Sequence, residues 1–180
     1  DELLDPPGVL GDITAYYNAT ARAPQPGFAV QTALALASLV AGRHYRTTKG
    51  NHGSLYFMNV AKSGTGKEHA KTVIDDCLEA AGFPEVINGA GYTSAGAVFS
   101  TLLRRPRHIT VIDEFGRYLE AANGGKNANL HEANTQLMES IGRLSGTMRP
   151  TAYSTMGLTK DKAEEFASRK ICNPAITLLA

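Results

Sequence analysis

The chain has 180 residues, of which 43% are hydrophobic, enough to bury the core of one domain. Its formal net charge is +1, so a site for nucleic acid or for an anionic surface has to be local. Cys77 and Cys172 lie far apart and form no metal-ligand spacing, which favours a reduced, cytoplasmic setting. The acidic N-terminus predicts no signal peptide, and the longest apolar run, 28–41, is shorter than the ~20 residues of a membrane span.

Two helices are expected in the first third of the chain. Asp12 is the expected N-cap of the first helix, which the proline-rich residues 23–27 end. The second, over 28–41, is apolar on nearly all sides, as is typical of a buried helix. The polar, basic residues 43–50 follow it. We interpret them as a solvated helix end, with cations near the helix C-terminus, rather than as a nucleic-acid contact.

A strand, a glycine-containing loop and a helix then follow one another. Residues 55–60 are continuously apolar, which predicts a strand buried on both faces. The helix behind the loop is expected to end at Gly82 and to bury one stripe: Ala70, Val73, Ile74, Cys77, Leu78 and Ala81. The residues between strand and helix are the candidates for nucleotide binding: Lys62, Ser63, Gly64, Thr65, Gly66, Lys67, Glu68 and His69.

Three properties of this loop suit phosphate binding. Gly64 and Gly66 allow backbone N–H groups to turn around an anion. The following helix points its positive end at the phosphates, and Lys67 adds a mobile charge for the terminal ones. The full P-loop pattern requires Gly, four free positions, Gly-Lys, and Ser or Thr. Here Ala61 and Glu68 occupy the first and last of these positions.

Glu68 stands where a hydroxyl would normally ligate Mg²⁺. A carboxylate can hold Mg²⁺ directly or through water, and it could equally weaken hydrolysis. The structural alternative is a chance Gly-x-Gly-Lys turn. Because a buried strand precedes the loop and a patterned helix follows it, we favour the phosphate-binding interpretation, with ATP and Mg²⁺ as cofactors.

A second apolar strand, 108–112, ends in Asp113 and Glu114. Carboxylates at the C-terminal end of a buried strand lie where α/β sheets bind ligands. In P-loop enzymes one acid helps to hold Mg²⁺ and a neighbouring acid polarises the attacking water. We therefore assign Asp113, with Glu68, to Mg²⁺, and Glu114 to the general base. The alternative is a helix N-cap followed by an acid.

Strands separated by helices predict an α/β fold with a largely parallel sheet. The remaining expected elements are a short strand over 85–88, a helix capped by Thr93, helices over 115–121 and 130–144, a strand or extended loop over 149–155, a short helix over 161–168 and a last strand over 171–180. We interpret the arginine-rich residues 104–107 as a solvated loop. Arg149, in a loop past a helix, is the candidate arginine finger among Arg143, Arg149 and Arg169.

The N-terminal part of the chain and the longer part that follows it have different expected roles. Residues 1–50 are expected to form a helical segment packed on the core, and residues 51–180 form the core domain. The chain ends in an apolar, strand-like run. Because a protein rarely stops inside a core strand, we interpret the core as a C-terminally incomplete piece of a longer protein.

The order of these features along the chain resembles that of a family of RecA-like P-loop ATPases encoded by phages, prophages and plasmids. The family is known as a domain of unknown function and is described as replicative-helicase-like. The resemblance covers nearly the whole chain. It rests on Pro6–Gly11, the Ala- and Leu-rich helix, Ser54–Phe57 leading into Ser63–Lys67, Gly91–Ser94, Ile109–Glu114 followed by Phe115 and Gly116, and Asn173–Thr177.

The resemblance implies a three-layer P-loop fold with a mainly parallel central sheet, whose last strand lies between the two motif strands. It also implies an ATP-hydrolysing motor coupled to single-stranded DNA, working as a homo-oligomeric ring in the cytoplasm of a bacterial host cell, with no membrane partner. The alternatives are a nucleotide-binding regulatory or scaffold module that hydrolyses weakly, and a DNA-packaging ATPase.

The chain departs from the family at two places. Members usually carry Ser or Thr where Glu68 stands, and often an acid where Ala95 and Gly96 stand. The Gly-Thr-Gly-Lys-Glu variant is similar to the AAA+ domains of enhancer-dependent bacterial transcription activators, which implies that an active ATPase can tolerate Glu there. The Gly-Ala-Phe-Thr-Gly-Ala loop of that group is not found in this sequence.

Overall fold

The structure is a computed structural model that describes residues 2–62, 64–123, 127–150, 159, 161, 164–165 and 168–180. Its helices are α1 (Val9–Thr20), α2 (Pro26–Ala41), α3 (His69–Ala80), α4 (Ala95–Arg104), α5 (Phe115–Asn123) and α6 (Ala128–Gly142). Its strands are β1 (Tyr56–Phe57), β2 (Arg107–Val111), β3 (Thr147–Met148), β4 (Ile171–Cys172) and β5 (Ala175–Leu179). Short 3₁₀ turns cover Glu2–Leu4 and Pro84–Val86.

The central sheet is parallel and has the order β1-β5-β2. All five residues of β5 are buried, and Leu178 and Leu179 of this strand pair with Tyr56 and Phe57 of β1. The expectations of a largely parallel sheet and of a last strand between the two motif strands are confirmed. Ile87 extends the sheet beyond β2 only through a parallel bridge to Ile109. The short strand expected over 85–88 is wrong, because Pro84–Val86 is a 3₁₀ turn.

Helices cover both faces of the sheet, so the described chain has three layers. One apolar cluster joins α1, α2 and α3 to the sheet and contains Leu179 of β5. The other joins α4 and α6 and contains Ile176 and Leu178 of the same strand. Neighbouring residues of β5 thus point to opposite faces, as the pleat of a strand buried on both sides requires.

The N-terminal helices belong to the first of these clusters. Leu36 and Leu39 of α2 pack with Ile109 and Leu179 of the sheet. The expected N-cap of α1 is wrong: Gly8 holds that position, and the amide of Asp12 already donates to the Gly8 carbonyl at 3.1 Å. A residue that makes this intrahelical bond lies inside the helix and cannot be its non-helical cap.

The expectation that 55–60 is a strand buried on both faces is also wrong. Only Tyr56–Phe57 is a strand, whereas Leu55, Met58 and Val60 are 47%, 52% and 81% exposed. These residues are exposed because β1 lies at the edge of the sheet. Within the described chain β1 pairs with β5 alone, so its other edge is open to solvent. Sequence hydrophobicity cannot distinguish an edge strand from a central one.

Two expected helix ends have different outcomes: the end of α3 at Gly82 is confirmed, and the cap of α4 is wrong by one residue. Gly82 has φ 77°, and the amide of Phe83 donates to the carbonyl of Leu78 at 2.9 Å, which completes a Schellman motif. The expected cap of α4 was one residue early, because the Ser94 hydroxyl, not that of Thr93, accepts from the Ala97 amide at 3.2 Å.

The C-terminal part of the chain differs from the expectation in one respect. The single last strand is divided into β4 and β5 by Asn173, which has φ 52°, and by Pro174. β4 pairs with β3, and β5 enters the central sheet. The elements expected over 149–155 and 161–168 lie largely outside the described residues.

Candidate functional site

A cavity of about 310 Å³ lies at the carboxyl-terminal edge of the parallel sheet. Segments following β1 and β2, the end of β5, the first turn of α3, and α5 all contribute to its wall. Its charged lining residues are Lys67, Glu68, Lys71, Asp113 and Glu114. The volume falls in the range of small-ligand sites, roughly 300–1,000 Å³. The fold therefore brings together the lysine and the three acids that the sequence singles out.

The loop before α3 has the backbone shape that its glycines permit. Gly64 and Gly66 both have φ 79°, in the left-handed region that glycine adopts without steric cost. Within the described chain, the amides from Gly64 to Glu68 donate to no protein acceptor. The Thr65 hydroxyl donates to the Lys62 carbonyl at 2.9 Å and closes the turn. A run of unpaired amides in such a turn favours an anion as ligand.

The first turn of α3 is tightly wound. The amides of His69, Ala70 and Lys71 each donate to the carbonyl three residues earlier, at 3.1, 3.3 and 3.1 Å. The earlier amides stay outside the helical bonding pattern and add the positive end of the helix macrodipole to the site. Because Glu68, Ala70 and Lys71 line the cavity, this end of α3 borders it directly.

The acid pair occupies the turn between β2 and α5. Asp113 Oδ1 accepts from the Glu114 amide at 2.8 Å. The Glu114 carbonyl accepts from the amides of Arg117 and Tyr118 at 2.9 and 3.2 Å, so it begins α5. The pair therefore lies at a helix start, as the alternative expected, but Glu114 rather than Asp113 precedes the first helical residue, Phe115. The two side chains also line the cavity, so this local role does not remove them from the site.

Charges around the cavity are only weakly paired. Glu114 Oε2 lies 3.4 Å from Arg117 Nε, and both side chains are mostly exposed. A surface pair of this kind contributes at most about 1 kcal/mol, so Glu114 can exchange it for another partner. In the described part of the chain Lys67 and Asp113 form no ion pair. Lys67 therefore remains available to an anionic ligand.

Other candidate residues lie away from the cavity wall. Lys62, Gly64, Thr65 and Gly66 form the adjoining loop, and Ser63 is outside the described residues. The His69 imidazole contacts α1 instead: Nε2 is 2.9 Å from Thr20 Oγ1, and the ring packs edge-on against Tyr17 at 4.9 Å. Arg149 is exposed just after β3, outside the cavity wall.

Asn59 is a lining residue that sequence reasoning missed. Its amide donates to the Ala180 carbonyl at 2.6 Å, which fixes the end of β1 beside the end of β5. Its side-chain Oδ1 is buried and has no hydrogen-bond partner in the described chain. Such a group is costly unless a ligand or water satisfies it. The sequence could have pointed to Asn59 by its position, because it is a polar residue that follows an apolar strand at the ligand-binding edge of the sheet.

The acids alone do not form a metal cage. The described residues contain no group of three or more His, Cys, Asp or Glu side chains placed to hold a metal ion. Mg²⁺ commonly binds through one or two carboxylates together with water and substrate phosphates. The donor set of Glu68 and Asp113 fits that mode and does not fit a metal held by protein ligands only.

Comparison with protein-family models, with curated proteins and with solved structures finds no match to this chain. Among the described residues, no helix has the length and apolarity to cross a membrane. Fold and site together define a three-layer α/β protein whose charged cavity lies at the carboxyl edge of a small parallel sheet.

Proposed function

We propose that the chain is a Mg²⁺-dependent ATP-binding and ATP-hydrolysing domain. One observation carries the proposal: Lys67, the first turn of α3 and the acids Asp113 and Glu114 line a single cavity, next to a loop with unpaired amides. Amides and a lysine together with carboxylates around one cavity match the charges of a triphosphate and its metal ion.

Each residue has a defined role in this proposal. Lys67 and the amides from Gly64 to Glu68 bind the phosphates. Asp113 and Glu68 hold Mg²⁺, directly or through water, and the bound ion supplies charge neutralisation at the phosphate oxygens. Glu114 accepts a proton from the water whose oxygen bonds to the γ-phosphorus, while the bond from that phosphorus to the bridging oxygen breaks.

The domain would act as a helicase-like replication motor of a phage or other mobile element. The strand order β1-β5-β2 supports this motor function, because the resemblance to RecA-like ATPases implies that the last strand lies between the two motif strands. Single-stranded DNA would stimulate turnover, and a homo-oligomeric ring would place Arg149 of one subunit at the nucleotide of the next. An exposed Arg149 is compatible with that role.

A nucleotide-binding regulatory module with weak hydrolysis is the second candidate. Two observations favour it: Glu68 lines the cavity where a hydroxyl would serve the metal, and Glu114 is paired with Arg117. In that case Glu68→Thr would increase turnover.

The test is binding and turnover of ATP with Mg²⁺, with and without single-stranded DNA. Binding is measured by titration calorimetry and turnover by phosphate release. We expect Lys67→Ala to abolish binding and Glu114→Gln to abolish turnover while retaining binding. Lys170→Ala, at an exposed lysine outside the cavity, is the control and should change neither. A protein that binds no nucleotide in the presence of Mg²⁺ refutes both candidates.

A further inference from the structure

Two short segments of the chain concentrate positive charge. Residues 43–49 and 104–107 carry six of the 18 Lys and Arg residues and no acid: Arg43, Arg46, Lys49, Arg104, Arg105 and Arg107. The whole chain has a net charge of only +1, so this concentration is local. In the sequence the two segments are about 60 residues apart, and each by itself suggests only a solvated connection.

The fold places both segments at the amino-terminal edge of the sheet. Arg107 Nη1 donates to the Val40 carbonyl at 3.3 Å, at the end of α2. The Ala175 amide, at the start of β5, donates to the Pro106 carbonyl at 2.7 Å. A Cβ atom added at Gly42 would lie 3.2 Å from the Cβ of Ala175. We call the six cations at this edge the basic edge; it lies opposite the candidate nucleotide cavity.

Backbone carbonyls hold four arginines of the basic edge, Arg43, Arg104, Arg105 and Arg107, and do not neutralise their charge. Arg43 donates to the Cys172 carbonyl at 2.9 Å, Arg105 to the Ile87 carbonyl at 3.3 Å, and Arg104 to the Ser100 carbonyl at 3.4 Å. Within the described chain none of the six forms an ion pair. Since a guanidinium has five N–H donors, these carbonyl contacts leave donors free for an anion.

An ordered turn presents Arg46 and Lys49. The amide of Thr47 donates to the Asn51 carbonyl at 2.8 Å, and that of Gly50, with φ 84°, to the Thr47 carbonyl at 2.9 Å. His52 anchors the turn, because its Nε2 lies 2.9 Å from Ser145 Oγ. An ordered backbone at these two positions reduces the entropy lost when the turn binds a ligand.

An exposed aromatic residue belongs to the first of the two basic segments. Tyr45 is 70% exposed and stands between His44 and Arg46. A ring in solvent beside cations suits stacking with an unpaired base, which a duplex does not offer, while the cations contact the phosphates. We infer that the basic edge binds single-stranded nucleic acid, with Tyr45 stacking on a base. This inference does not rest on the nucleotide site proposed above.

The test uses the 180-residue chain and a fluorescent 20-nucleotide oligothymidylate, without ATP, and follows anisotropy across salt concentrations. We expect Arg46→Ala/Lys49→Ala to weaken binding about tenfold or more. The slope of log K against log salt should fall by about 1.4, since each phosphate contact to a single strand contributes ~0.7. The matched control, Arg22→Ala/Arg117→Ala, removes two exposed cations elsewhere and should bind like the unmodified chain.

A second pair of variants tests the aromatic contact. Tyr45→Ala should weaken binding about tenfold, since stacking of one base contributes ~1–3 kcal/mol, and Tyr45→Phe should retain it. Equal affinity of basic-edge and control variants overturns the inference. So does binding of the chain to anionic phospholipid vesicles but not to the oligonucleotide. The Lys67→Ala variant, which should not bind ATP, should bind the oligonucleotide as the unmodified chain does. Failure of the proposed ATP binding would therefore not change the result expected for the basic edge.

Discussion

Asp113 and Glu114 are joined by a hydrogen bond from the Glu114 amide to Asp113 Oδ1 at 2.8 Å, and Glu114 has a positive φ of 54°. For a residue with a side chain, the left-handed region costs roughly 1–2 kcal/mol. The bond to Asp113 and the start of α5 hold Glu114 in this conformation. Strained residues often cluster at functional sites, and here the strain coincides with a cavity-lining acid.

The strain at Glu114 can be measured by comparing two substitutions. Glu114→Gly and Glu114→Ala both remove the carboxylate, but only glycine adopts φ 54° freely. We expect the Gly variant to be more stable than the Ala variant by about 1 kcal/mol in urea denaturation. Both should lack ATP turnover. Equal stability of the two would mean that the turn relaxes and that Glu114 is not strained.

Gly64 and Gly66, in the loop before α3, should differ in their tolerance of a side chain. Both have φ 79°, but a Cβ at Gly66 would lie 3.5 Å from the Ala23 carbonyl oxygen, whereas one at Gly64 meets nothing within 4 Å. Each change to Ala should destabilise the fold by about 1 kcal/mol or more, because alanine disfavours a positive φ. Gly66→Ala should destabilise it at least as much as Gly64→Ala does. Thermal denaturation measures this.

Gly27→Ala is the matched control for these two glycines. Gly27 lies in the first turn of α2, and a Cβ added there meets nothing within 4 Å. We expect the variant to be as stable as the unmodified chain or slightly more stable, because alanine favours a helix. Loop variants that match this control would contradict the backbone conformation described for the loop.

The stability of the fold should depend on pH through His108. Burial lowers the pKa of His108 to about 4. Its Nδ1 lies 2.8 Å from the Arg105 carbonyl and its Nε2 lies 2.5 Å from the Tyr92 hydroxyl. A neutral ring satisfies both contacts, with Nδ1–H donating and Nε2 accepting.

The direction of the change in stability with pH follows from how the folded and unfolded chains bind a proton at His108. The unfolded chain binds a proton at His108 near pH 6.5, whereas the folded chain binds one only near pH 4. Stability from this residue is therefore complete above pH 6.5 and falls as the pH drops to 4, by about 3 kcal/mol in total. Urea denaturation at pH 7, 5.5 and 4.5 measures the loss. His108→Gln should be less stable at pH 7 but should lose less on acidification; equal losses would exclude His108 as the cause.

Asn59 should matter to ligand binding more than to folding. Because its Oδ1 has no partner in the described chain, Asn59→Ala removes no hydrogen bond of that atom. We expect the free energy of unfolding to change by less than about 1 kcal/mol, and the affinity for Mg²⁺-ATP to fall roughly tenfold if a ligand or its water uses this group. Calorimetric titration beside urea denaturation distinguishes the two effects. A large loss of stability with unchanged affinity would assign Asn59 a structural role.

Local chemistry made much of the chain predictable. Continuous apolar runs located α2 and β2, an apolar periodicity located α3, and the Schellman motif at Gly82 needs only a glycine past the last helical residue. The same holds for Lys67 and the Asp113-Glu114 pair, whose positions at the start of a helix and at the end of a strand are visible in the sequence. That these residues would line one cavity followed from the rule for parallel sheets.

Long-range contacts decided the rest. Hydrophobicity alone made 55–60 a buried strand, but its place at the sheet edge leaves Leu55 and Val60 exposed. Nothing near Asn59 in the sequence shows that its Oδ1 would be buried without a partner. The basic edge arises because the end of α2 lies beside the start of β2. Apolar patterning and capping report what each segment does with its own neighbours, so the sequence determined the approximate positions of the helices and of β2, and the lysine and acids of the candidate site. Strand order, edge exposure and the meeting of distant cations depend on packing between segments, and only the tertiary structure decided them.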